Sequence, residues 1–122
     1  MKQHVYRLTS PPPSDNRLHR IARGRIINSA EYVKWLEAAG WEIQEQKHTN
    51  PQIVSYPVAI VVSVHDDQWE VKGRDIGNIA KGIGDLLKHQ DVIVDDSVRY
   101  VDDFRCIWGH GAPSYVVRIV EK

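Results

Sequence analysis

The run Val58-Ala59-Ile60-Val61-Val62-Ser63-Val64 is β-branched and almost entirely apolar. A strand of this kind has no polar side to offer water, so it predicts a central strand buried on both faces of a sheet. A chain of 122 residues then reads as one domain, residues 1–122, able to bury roughly two-thirds of its unfolded surface. Val5-Tyr6-Arg7-Leu8-Thr9 alternates as a half-buried strand should, and Pro11-Pro12-Pro13 stops it, because three missing amide donors cannot sit in a ladder.

Asn28 with Glu31 three residues on predicts a capping box opening a helix. Its apolar face is Tyr32, Val33, Trp35, Leu36 and Ala39, and Gly40 is its expected C-terminal cap. Trp41 to Tyr56 fits either a further strand or a continued, bent helix, with a turn at His48-Thr49-Asn50-Pro51. Ile76, Ile79, Ile83, Leu86 and Leu87 recur at helical spacing, which predicts a helix over 76–89 with Asp75 as N-cap. Gly77, Gly82 and Gly84 oppose that helix, those in its interior by up to ~1 kcal/mol each, but the period prevails. Val98 to Trp108 and Ser114 to Val120 read as an antiparallel hairpin about the turn 109–113. The order β-α-β-α-β-β is α+β, a mixed sheet with two main helices.

Sixteen basic and sixteen acidic residues leave no net charge, but they segregate. Met1 to Lys34 holds seven bases against two acids, while His65 to Asp103 holds ten acids against five bases. A basic front and an acidic back suit a metal-dependent enzyme acting on a polyanion. The long connection Ser14 to Ile27 carries Arg17, Arg20, Arg23 and Arg25, a density that favours phosphate contacts. Trp35 and Trp108 are expected in the core; Trp41 and Trp69 are free to be exposed.

The lone Cys106 excludes an intrachain disulfide and points to a buried structural thiol in a reducing cytoplasm. No apolar run approaches the ~20 residues of a membrane span, and the N-terminus lacks a hydrophobic signal region. The expectation is a soluble cytoplasmic protein. The six histidines show no HxxxH pair, and there is no CxxC, GxSxG or P-loop. Gly82-Ile83-Gly84 lies inside the expected helix, where it cannot serve as a dinucleotide fingerprint.

What remains is carboxylate chemistry. Asp75 at the head of the helix and Asp95-Asp96 after its end are brought together if the chain doubles back. Two or three carboxylates with a phosphate complete the oxygen shell of a hard cation such as Mg²⁺, which activates water and steadies the leaving oxygen in phosphodiester hydrolysis. Lys81, a turn into the helix, is placed to offset negative charge in the transition state. Each residue taken singly reads first as a cap or a turn.

The ordered motifs go further. Pro11-Pro12-Pro13-Ser14-Asp15-Asn16-Arg17 with Arg23-Gly24-Arg25, then Arg74-Asp75-Ile76-Gly77-Asn78-Ile79-Ala80-Lys81, then Asp95-Asp96, resembles the RusA family of Holliday junction resolvases, small endodeoxyribonucleases borne by phages and prophages. The resemblance covers essentially the whole chain. It implies a homodimer that binds four-way junctions and makes paired nicks with Mg²⁺ or Mn²⁺. By resemblance Asp75 and Asp96 hold the metal with Asp95 beside them, Lys81 assists catalysis, and Arg74, Asn78 and the arginine loop hold DNA. Gly77 departs from the pattern, which has an aspartate there. A variant recruiting another acid (Asp95, Asp66, Asp67 or Glu70), a DNA-binding protein without catalysis, and a deliberately inactivated sequence all remain open. An interaction module that uses its charges in salt bridges between subunits is the reading from a different class.

Overall fold

The computed structural model describes residues 2–66, 76–111 and 114–121. Its frame is a four-stranded mixed sheet built from β1 (Gln3–Leu8), β4 (Val58–His65), β5 (Val101–Trp108) and β6 (Ser114–Glu121), in the order β1-β6-β4-β5. β6 runs antiparallel to both β1 and β4, whereas β4 and β5 are parallel. The helix α2 (Ala80–His89) lies between β4 and β5 in sequence, as a parallel pair requires. α1 (Ala30–Gln46) precedes β4, and a separate two-stranded hairpin, β2 (His19–Ala22) with β3 (Arg25–Asn28), precedes α1.

The expected β5–β6 hairpin does not form. β6 inserts between β1 and β4 because Tyr115, Val116 and Val117 are consecutive and all buried. A strand with both faces covered belongs in the middle of a sheet. β5 carries Asp102, Arg105, Ile107 and Trp108 exposed, which suits an edge. Trp108 is therefore a surface residue, against expectation, while Trp35 is in the core and Trp41 is exposed. Cys106 on β5 is half-buried and packs against the core.

Burial of β4 is also one-sided in degree. Register places Tyr6, Val117 and Val62 across one face, with Leu8, Tyr115 and Val64 beside them. This face is sealed by Trp35, Ala39 and Ile43 of α1 and Ile83, Leu86 and Leu87 of α2. On the reverse face Ala59 and Val61 are only half-buried, Val5 and Ile107 are exposed, and Arg7 and Arg118 lie among them. The expectation of a strand buried on both faces holds fully for one face alone.

Two local readings change for physical reasons. The cap of α1 is Ser29, whose Oγ accepts from the Tyr32 amide at 3.1 Å, while Asn28 is held in β3 opposite His19. The helix also passes through Gly40 to Gln46, so the ambiguous segment begins as helix from Trp41 and continues through a 3-10 turn, Lys47–Thr49, into irregular chain. Ile43 prolongs the buried stripe, and a Cβ at Gly40 would meet Gln90 Nε2 at 2.5 Å. The glycine is there for close packing rather than for a helix end.

The 14–27 connection is likewise ordered. A 3-10 turn at Asp15–Arg17 leads into β2, and Arg23 and Gly24 both take positive φ, 53° and 74°. That pairing of left-handed residues matches the twist of a two-residue hairpin turn. Buried Leu18 anchors the hairpin's base, its carbonyl accepting from the Ser29 amide at 2.8 Å.

Side chains finish the sheet's β1 edge. Asn50 accepts from the Val5 amide and donates to the Val5 carbonyl, and Gln46 does the same for Arg7. These amides stand in for a missing strand and blunt the edge. At the strand's start buried His4 meets Glu121 Oε2 at 2.8 Å, and Oε1 accepts from the Val54 and Ser55 amides at 2.9 Å. The His4 hydrogen bond, then those two amides, hold the Glu121 carboxyl at about 2, below its ordinary 4.5. A depressed carboxyl stabilises the fold above its unfolded value, and that contribution is lost as pH falls through the folded one. Denaturant midpoints are therefore expected to fall between pH 4.5 and about 2. Glu121→Gln is expected to lower the neutral-pH midpoint and flatten that slope; an unchanged slope in the variant refutes the assignment. Among the described residues no helix is long and apolar enough to cross a membrane.

Candidate active site and nucleic-acid interface

α2 is the platform of the site. Ile83, Leu86 and Leu87 face the core, and Lys81, Asp85 and Lys88 recur at three- and four-residue spacing on the other side. The expected helix begins as a 3-10 turn, Ile76–Ile79, and becomes α at Ala80. Gly82 and Gly84 are buried within it, and a Cβ on Gly82 would make ordinary contact with Leu18 and Trp35. Arg74 and Asp75, the expected cap, lie outside the described residues, as do Asp67 and Glu70.

Among the described residues, the carboxylate at this helix start is Asp15. Its oxygens accept from the Lys81 and Gly82 amides at 3.3 and 3.4 Å. A carboxylate there satisfies amides that have no partner within the helix and complements its dipole, worth about 0.3–1 kcal/mol. Sequence reading quoted Asp15 within a motif but gave it no role.

Asp96 folds back onto the same helix. Its Oδ2 would lie 3.4 Å from a Cβ on Gly84, so the missing side chain leaves room for the close approach. Its Oδ1 is 3.4 Å from Lys88 Nζ, which also stands 3.6 Å from Asp85 and 3.9 Å from Asp95. Lys81 Nζ reaches the other oxygen of Asp85 at 3.8 Å, and that same oxygen accepts from the Tyr32 hydroxyl at 2.7 Å. Lys81, Asp95 and Asp96 are thus brought together, linked by Asp85 and Lys88. Neither linking residue was singled out from sequence, although their i, i+4 and i, i+3 spacing was the available signal.

The electrostatics follow. Burial pulls the Lys88 ammonium down, but Asp96, Asp85 and Asp95 outweigh it and hold the pKa above the ordinary lysine value. The Asp95 carboxyl is lowered, first by the Asp96 amide and then by Ser97 and Lys88. The Tyr32 phenol is pushed up by burial and by its bond to Asp85, so it stays a donor. Such partly exposed ion pairs add little stability. Their consequence is positional, a cation fixed among three carboxylates.

These oxygens are the hard donors that Mg²⁺ prefers. Among the described residues, however, no group of three His, Cys, Asp or Glu side chains is arranged to hold a metal ion. Asp85, Asp95 and Asp96 gather about an ammonium instead. Gly77 and Asn78 are exposed in the 3-10 turn. Asp66 accepts from the Tyr115 hydroxyl. Arg17 ends its 3-10 turn, and Arg20, Arg23 and Arg25 are exposed on the hairpin, away from the carboxylates in sequence and on a different element. A cleft of about 340 Å³ between hairpin and helices is lined by Asn28, Tyr32, Asp85, Lys88 and His89.

The proline-serine-asparagine-arginine segment, the helix start and the aspartate pair therefore converge on one helix, although they are far apart in sequence. The family model described as Endodeoxyribonuclease RusA matches residues 9–120, nearly the whole chain. The chain belongs to the RusA endodeoxyribonuclease family. A comparison with curated proteins gave no match. RusA membership implies endodeoxyribonuclease activity of the Holliday junction resolvase kind, in a family that binds branched DNA. The mixed sheet with its two helices agrees with the RusA fold.

Proposed function

We propose that this chain is a Mg²⁺-dependent resolvase that nicks four-way DNA junctions as a homodimer, with activity weakened at Gly77. The observation that carries the reading is the meeting of Asp15, Lys81 and Asp96 on α2 within a RusA chain. Asp75 and Asp96 are the proposed metal carboxylates, with Asp95 beside them, and Mn²⁺ is the expected substitute. A bound divalent ion supplies an acidified water and stabilises charge on the phosphoryl and leaving oxygens. Lys81 is placed to offset charge on the scissile phosphate. Arg17, Arg20, Arg23, Arg25, Arg74 and Asn78 are assigned to the DNA backbone.

Symmetric nicking of a two-fold junction needs two sites about a two-fold axis. The half-open reverse face of the sheet, with Val5, Val61 and Ile107 among Arg7 and Arg118, is the surface available to a second copy.

A second reading is favoured by Gly77 and by Lys88: a branched-DNA-binding protein without turnover, in which an ammonium takes the place of a metal ion among the carboxylates. Incubation with a labelled four-way junction across a Mg²⁺ and Mn²⁺ titration separates the two. Paired, metal-dependent nicks support the resolvase. Tight, salt-sensitive junction binding with no nick at any metal concentration supports the second reading. Weak junction affinity at low salt, without steep loss as salt rises, removes both.

A further inference from the structure

The β2–β3 hairpin carries two large apolar residues in the open. Ile21 and Ile26 are direct cross-strand partners and are 77% and 75% exposed. Side chains of directly opposed residues share a face, and faces alternate along each strand. Ile21 and Ile26 therefore lie on the face that also carries His19 and Asn28. His19 meets Tyr32 edge-on at 6.1 Å between centroids, and Asn28 lines the cleft with Asp85 and Lys88. The isoleucine pair is the outward continuation of the surface that borders the carboxylate cluster. Arg20 and Arg25 stand on the opposite face, and Arg23 is at the tip. No acidic residue occurs between Asn16 and Ala30.

We propose that this hairpin is a wedge for the branch point of DNA, with Ile21 and Ile26 entering between base pairs and the arginines lying along the flanking phosphates. The inference rests on the branched-DNA reading above and assigns to it the element that distinguishes a junction from a plain duplex. Apolar side chains inserted at a base step unstack it, and unstacking is easiest where stacking is already interrupted. The charge of the hairpin decides the occupant. An apolar pair on one face of a hairpin whose tip and opposite face carry arginines, without a single acid, is complementary to a polyanion. A second copy of the chain has the reverse face of the sheet available to it.

The test uses the full chain in EDTA with a four-way junction bearing 2-aminopurine beside the branch point, and a linear duplex of the same sequence. Wild type is expected to bind the junction more tightly than the duplex and to raise 2-aminopurine fluorescence. Ile21→Ser with Ile26→Ser is expected to lose about tenfold in junction affinity, equivalent to about 1.4 kcal/mol, and to abolish the fluorescence rise. Duplex affinity is expected to stay within about twofold, because the phosphate contacts remain. Ile21→Leu with Ile26→Leu, which keeps the apolar pair, is expected to retain both signals. A serine variant with undiminished affinity and fluorescence overturns the wedge while leaving the resolvase reading intact. So does a leucine variant as impaired as the serine one, or a serine variant whose mass by light scattering falls from two chains to one. A wild type with no preference for junction over duplex overturns the parent reading and the wedge together.

Discussion

Asp96→Asn is expected to lower junction nicking by about 10²–10³-fold or more while leaving junction affinity within about threefold, the size of loss typical when one electrostatic group is removed from a hydrolytic site. Asparagine preserves the shape that rests against Gly84 but removes the charge that faces Lys88 Nζ at 3.4 Å. The loss therefore falls on the chemical step rather than on folding or DNA contact. Single-turnover nicking at saturating protein, alongside junction binding in EDTA, measures the two separately. Undiminished nicking in the variant would remove Asp96 from the catalytic assignment.

Gly77→Asp is expected to act in the opposite direction. The position is exposed in the 3-10 turn that leads into α2. A third carboxylate at this turn raises the negative charge offered to a hard cation, and cation affinity in oxygen sites is set by the count and charge of the ligands. At sub-saturating Mg²⁺ the variant is expected to nick about 10–100-fold faster, the range over which changes around a metal site alter affinity or activity. The gain should shrink as Mg²⁺ approaches saturation if Gly77 costs metal affinity alone. If the variant nicks no faster at any metal concentration, loss of function extends beyond this position and the DNA-binding reading prevails.

Lys88 gives these two experiments a common physical basis. Its ammonium is the cation that the described carboxylates already hold, with Asp85, Asp95 and Asp96 all within 3.9 Å. On the proposed reading, a divalent ion at Asp96 would have to compete with that charge or displace it, and would do so at the greatest disadvantage if Gly77 leaves the site one carboxylate short.

Periodicity made α2 legible: Ile83, Leu86 and Leu87 form its buried stripe, and Gly82 and Gly84 did not break it, although the stretch Ile76–Ile79 that holds Gly77 is a 3-10 turn rather than α-helix. The β-branched run from Val58 was legible as a central strand for the same reason, since side-chain pattern reports burial directly. The ends of α1 were not. Gly40 reads as a stop signal until Gln90, fifty residues on, is seen packed over it. The arginine segment read as a loop because four short-range residues per strand are too few to show alternation, and its Arg23-Gly24 turn was the one local sign of a hairpin.

The chemistry divides along the same line. Residue types and their order along the chain are local properties, so the motifs and the family were readable without coordinates. Partnership across the fold was not. That β6 lies between β1 and β4 rather than beside β5, that Asp15 serves the start of α2, and that Lys88 sits among Asp85, Asp95 and Asp96 are contacts between segments distant in the chain. They arise from which surfaces pack together once every strand and helix has buried its apolar side, a competition among many segments that no single spacing encodes.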